Sequence, residues 1–218
     1  MLDFAQARRN MVDCQIRTFD VTDRAVLAAM GEVPRERFTP AGIVDLAYLD
    51  RDLEIGTAAG ETRLMLQPMV LARLLQALEI ADGDRVLDVA GGLGYSAALL
   101  ARLGARVTSL EADDESAARL RERLAGTDVD VRSGPIDGGV PGSDGFDAIL
   151  VNGAVERTPS ELIGQLKNGG RLVCIQTEGQ SSRALLHVRT GSGASRRRLF
   201  DAVAPSLAAF RRAPGFVF

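Results

Sequence analysis

Little in this chain marks a metal centre, a disulfide framework or a membrane segment. It has two cysteines, Cys14 and Cys174, far apart in its 218 residues and without C-x-x-C spacing. That usage argues against a stapled scaffold and fits two reduced thiols in a cytoplasmic protein. The single histidine, His187, has no partner at a ligand or triad spacing, so no metal is expected and it reads as a surface strand residue. Lysine occurs once, as Lys167, so positive charge is almost all arginine, which we read as genome composition. A net charge of -3 gives no electrostatic footprint for nucleic acid. No apolar run reaches a bilayer span, and the opening MLDFAQARRN lacks the layout of a signal peptide. Neither a membrane partner nor export is therefore expected.

What is present is an ordinary globular composition, 46% hydrophobic and 25% charged. Such a length suits one domain that buries ~70% of its unfolded surface. Apolar positions at three- and four-residue intervals predict a helix over 3–18, with Phe4, Ala7, Met11 and Cys14 on one stripe. A second helix is expected over 23–31, N-capped by Thr22, and a third from Pro68 to Leu78. Between them, 47–61 reads as short extended pieces with a charged rim of Asp50, Asp52 and Glu54. Strands are then expected near 85–90, 106–111, 128–132, 146–151 and 170–176, with helices near 95–103, 113–125 and 158–167. That alternation predicts a doubly wound, mostly parallel α/β sheet. Residues 184–190 and 196–203 around GSGAS read as an antiparallel edge hairpin, with Arg196, Arg197 and Arg198 on a solvated arm and Pro214 to Phe218 packing on that edge.

The chemistry concentrates in RVLDVAGGLGY, Arg85 to Tyr95: a buried strand, a glycine-rich turn, then a helix. Such a turn lets a ligand lie on bare backbone at a helix N-terminus. Asp88 ends this strand and Glu111 ends the next, which places two carboxylates at one sheet edge, as in a nucleoside site. Gly92, Gly94 and Ala97 satisfy G-x-G-x-x-A, so NAD fits the pattern. Asp88 favours S-adenosylmethionine instead, because a carboxylate beside a pyrophosphate is repelled, whereas a sulfonium and an ammonium tolerate it.

The segments ARRNMVDCQIR, DRAVLAAMGEVPRERFTP, LAYLD, the pair Gln67-Pro68, LDVAGGLGYSAALLA and FDAILVNGAVERTPSELIGQLKNGGRLV resemble protein-L-isoaspartate O-methyltransferases in unbroken order. The resemblance implies a Rossmann-like methyltransferase fold with an N-terminal helical extension, S-adenosylmethionine as donor, and a protein or peptide carboxylate as acceptor. The chain is then one domain: 1–66 the helical extension and acceptor loop, 67–176 the cofactor-binding core, 177–218 the antiparallel edge. Asp88, Ala90, Gly91, Gly92, Gly94, Tyr95, Glu111, Ala112, Asp137 and Asn152 are the implied donor-site residues, with Glu111 on the ribose and Tyr95 sealing the pocket. The family's short motif G-Q-T-I-S-Q-P carries an acceptor-loop serine. Here Leu66 stands in that place, or the motif is expanded by two residues after Gly60-Glu61-Thr62. Thr62 and Arg63 then become the candidates for positioning the acceptor. Leu64, Met65 and Leu66 also read simply as an apolar lead-in to the next helix. Ala90 replaces the loop's first glycine, and Pro135 the aspartate expected near the adenine. These departures leave two alternatives open: a different methyl acceptor, or a non-catalytic binding or regulatory protein on the same scaffold.

Overall fold

A computed structural model describes residues 2–212. The chain opens with α1 (Phe4–Asn10), capped by Asp3, and continues through a wider helical turn, Met11–Ile16, that buries Met11, Val12 and Ile16. Next comes α2 (Arg24–Glu32), and here the expectation for Thr22 is corrected. Asp23 is the cap: its carboxylate accepts from the amides of Ala25 and Val26, a role a carboxylate fills well at a positive helix terminus.

The stretch read as short extended pieces forms a two-stranded hairpin, β1 (Leu53–Ala58) and β2 (Glu61–Met65). Its turn places Ala59 and Gly60 at φ 49° and 76°, the paired positive angles of a tight two-residue hairpin. Leu64 and Met65 are therefore strand residues rather than a lead-in. Asp52, expected on the rim, is half-buried and accepts the amide of Gln67 at 2.7 Å, which ties the hairpin's base to α3 (Pro68–Leu78).

The remaining elements alternate: β3 (Arg85–Val89), α4 (Tyr95–Arg102), β4 (Arg106–Glu111), α5 (Asp114–Arg123), β5 (Asp130–Ser133), β6 (Phe146–Val155), α6 (Ser160–Gly164), β7 (Leu166–Glu178), β8 (Ser181–Thr190) and β9 (Gly193–Asp201). The last helix is one short turn, not 158–167, because Lys167 to Gly170 already belong to a long β7. Seven strands pair in the order β5-β4-β3-β6-β7-β8-β9. The first five are parallel; β8 and β9 add antiparallel.

Strand alternation divides the core between the two faces. Val86, Leu150, Val173 and Leu186 join the cluster covered by the N-terminal helices, α3 and α4. Their neighbours Leu87, Val89, Ile149 and Cys174 join the other, closed by Leu162, Leu207 and Phe210. His187 is corrected from surface to core: it is 2% exposed on β8. Burial, and then the Arg196 charge, hold its pKa down at about 4, so the ring is neutral at pH 7. Arg196, Arg197 and Arg198 do lie on an exposed strand. The expected packing of Pro214 to Phe218 lies outside the described residues; Ser206 instead bridges Ala154. Among the described residues no helix is long and apolar enough to cross a membrane.

Candidate active site

The order reverses between β3 and β4 on one side and β6 on the other, so the carboxyl ends of these strands flank the crevice where doubly wound sheets bind ligands. Asp88 and Glu111 sit at those ends, fully buried. Asp88 accepts from the Ser96 hydroxyl at 3.0 Å, the Ser109 hydroxyl at 3.1 Å and the Asn152 amide at 2.7 Å. Burial still pushes its pKa up to about 6 against these three donors. Asn152 also donates to the Val89 carbonyl, at 3.1 Å. It thus acts on the loop through Asp88 and its neighbour.

Backbone room explains the loop's composition. A Cβ on Gly91 would stand 2.3 Å from Asp88 Oδ2, and one on Gly92 2.3 Å from Ile55 Cδ1. Gly94, at φ 95°, caps α4, and a Cβ there would strike Leu120 at 2.6 Å. Ala90 occupies the left-handed region at φ 59°, a strained angle for a residue with a Cβ, and its amide is held by the Leu110 carbonyl at 2.9 Å.

Glu111 Oε1 accepts the Gly92 amide at 2.7 Å. Its Oε2 is buried without a hydrogen-bond donor, and the nearest cation, Arg63 Nη2, stands 3.7 Å away. Burial pushes Glu111 up to about 7, despite the opposing Arg63 charge and the Gly92 bond. Arg63 projects from β2 and is 6% exposed, and its Nε and Nη2 make no hydrogen bond. Ile55, Arg63, Gly92, Glu111, Ser116 and Arg119 line the resulting narrow cleft.

The structure thus brings together Asp88, Ala90, Gly91, Gly92, Glu111 and Asn152. Other candidates fall elsewhere. Arg63 faces Glu111, not a free acceptor position, and Thr62 is exposed on the hairpin. Tyr95 is buried beneath the N-terminal layer, its ring 5.8 Å from that of Phe38 and 4.9 Å from the Arg35 guanidinium, so it packs α4 against that layer. Asp137 is paired with Arg157 at 2.6 Å. Ala112 is half-buried beside Glu111 and packs on the second core cluster. Ser96, Ser109 and Ile55 escaped the sequence reading. A hydroxyl two residues after Gly94, in the first turn of α4, was the available signal for Ser96.

Strand order, glycine loop and terminal acids define a Rossmann-like methyltransferase fold. Residues 6–199 match the family described as protein-L-isoaspartate(D-aspartate) O-methyltransferase. The chain is 41% identical over 194 residues to the protein-L-isoaspartate O-methyltransferase of Gloeobacter violaceus, covering 87% of this chain and 93% of that one. It is 43% identical over 173 residues to that of Methylorubrum extorquens, covering 78% and 74%. The chain belongs to the protein-L-isoaspartate(D-aspartate) O-methyltransferase family.

Solved structures share the fold. A protein-L-isoaspartate O-methyltransferase superposes with TM-score 0.81 at 24% identity, over 92% of this chain and 66% of that one. A beta-aspartate methyltransferase from Plasmodium falciparum, crystallised with S-adenosyl-L-homocysteine, superposes with TM-score 0.75 at 20% identity, over 96% and 100%.

Proposed function

We propose that this protein is an S-adenosylmethionine-dependent O-methyltransferase acting on the carboxylate of L-isoaspartyl residues in damaged proteins. One observation carries the reading of the donor site: Glu111 is fixed through one oxygen by the Gly92 amide, and its other oxygen is a buried acceptor lacking a donor. Ribose hydroxyls supply such donors, and the bare backbone of Gly92 opens a concavity beside them that the Ile55 side chain now fills. The residues present therefore fit the nucleoside. Family membership and the relatives' names support the acceptor.

When bound, S-adenosylmethionine supplies an electrophilic methyl carbon that a carboxylate oxygen takes directly, the carbon–sulfur bond breaking to leave a neutral thioether. An ionised carboxylate needs no general base, so the protein's work is alignment and exclusion of water. Glu111 would receive the ribose through Oε2. Asp88, held by Ser96, Ser109 and Asn152, joins β3, β4, β6 and the start of α4 around the turn that would receive the donor. Neither acid takes or gives a proton in the transfer.

Incubation with an isoaspartyl peptide and methyl-labelled donor is expected to place base-labile label on that peptide and none on its aspartyl isomer. Absence of label, with donor binding intact, overturns the assignment of the acceptor.

One observation favours a second reading. Ile55 and Arg63 fill the cleft, and no serine precedes Gln67, which suits a family member that keeps the scaffold without transferring methyl groups. Absence of binding to both S-adenosylmethionine and its demethylated product supports that second reading.

A further inference from the structure

We propose that the β1–β2 hairpin is a gate that the protein closes over its own donor cleft, with Arg63 as the latch on Glu111. This inference rests on the reading of that cleft as the S-adenosylmethionine site, and it concerns the regulation of the same site.

Two side chains of the hairpin stand where a nucleoside must lie. Ile55 Cδ1 fills the concavity that Gly92 opens, 2.3 Å from where a Cβ would be. Arg63 Nη2 approaches Glu111 Oε2, the one oxygen of that carboxylate not already engaged by the Gly92 amide. Ribose hydroxyls and Arg63 therefore compete for a single acceptor. The latch is a poor bond. At 3.7 Å it is an ion pair without a hydrogen bond, and it leaves Arg63 Nε and Nη2 and Glu111 Oε2 buried and unsatisfied. Buried charges in that condition do not repay their desolvation fully. A ligand that donates a hydroxyl to Glu111 Oε2 while Arg63 swings out to water relieves both.

The mechanics suit opening. Beyond its base the hairpin buries Ile55, Ala58 and Arg63 against the cleft, and its polar ties to the rest of the fold are exposed. Ala59 donates its amide to Asp113 Oδ2 at 2.6 Å, Arg119 Nη2 donates to the Thr57 carbonyl at 2.6 Å, and Glu61 accepts the Ala208 amide at 2.8 Å. Water competes for both partners of each such exposed bond, so the net contribution of each is modest. The base is firm: Leu53, Met65 and Leu66 are buried, and Asp52 holds the Gln67 amide. Between base and tip the pairing register shifts between Glu54 and Gly56, and Gly56 lies at φ 116°, a conformation that side chains rarely adopt. That bulge is a hinge. Since the closed form cannot take the donor, apparent affinity falls by the fraction of molecules that are open.

The test is calorimetric titration of the full-length protein with S-adenosylhomocysteine, comparing wild type, Arg63→Ala and Arg119→Ala. Arg119, half-buried on α5 at the edge of the same cleft, ties the tip through the Thr57 carbonyl. Its removal therefore loosens the tip and leaves the hairpin's buried base intact, an effect that hydrogen exchange reads without ligand. The gate predicts at least ten-fold tighter binding for Arg63→Ala and a smaller gain for Arg119→Ala. It also predicts faster hydrogen exchange at Thr57 to Thr62 in Arg119→Ala. Equal affinities, or weaker binding by Arg63→Ala, overturn the gate while leaving the donor site standing. Failure of all three proteins to bind overturns the gate and the donor site together.

Discussion

Asn152 donates its side-chain amide to Asp88 across a sequence gap of 64 residues, at 2.7 Å, and so ties β6 to the strand that launches the glycine loop. The bond makes Asn152 a positioning residue for the loop. Asn152→Ala removes a donor from a fully buried carboxylate, at a cost of ~1–3 kcal/mol. Urea unfolding is expected to register that loss. Asn152→Asp is expected to cost more, because it sets a second acid against Asp88.

Gly91 offers a test of steric room free of backbone strain, since its φ is not in the left-handed region. A methyl there meets Asp88 Oδ2 at 2.3 Å and the Ser96 hydroxyl at 2.9 Å, both within a buried network. Gly91→Ala is expected to weaken binding of S-adenosylhomocysteine at least ten-fold and to lower stability by ~1–3 kcal/mol. Calorimetry and urea unfolding read the two effects separately.

Stability is expected to fall as pH rises from about 4 to 7. Asp88 and Glu111 titrate near 3.8 and 4.5 when free but at about 6 and about 7 in the fold. The native state therefore holds more protons across that window, and raising the pH removes them at a cost. His187 acts in the opposite sense: its free value is 6.5 and its folded value about 4, so its contribution is lost as pH falls through that range. Two carboxyls outweigh one imidazole. Urea midpoints measured across this range are expected to flatten for Glu111→Gln and to steepen for His187→Leu.

These partners also mark what the residues alone disclosed. The parallel core was legible because its strands are continuous apolar runs, such as Val86 to Val89 around a lone Asp88, punctuated by glycines. Asp88 and Glu111 were legible as strand-end acids in a pattern with a known use. The β1–β2 hairpin was not, because its polar and apolar residues alternate briefly and its buried members include a charged side chain, Arg63. Burial of His187 and of Arg63 depends on which elements lie across from them, and no local spacing encodes that. The pairing of Asp137 with Arg157, and of Tyr95 with Phe38 and Arg35, escaped for the same reason.

The two strand-end acids and the bare turn between them are expected to hold an adenosyl thioether. A crystal structure of the protein grown with S-adenosylhomocysteine tests it most directly. Ribose hydroxyls are expected on Glu111, with Ile55 and Arg63 displaced from their present positions. A cleft that stays filled by those two side chains, or one that takes NAD and refuses the thioether, contradicts it.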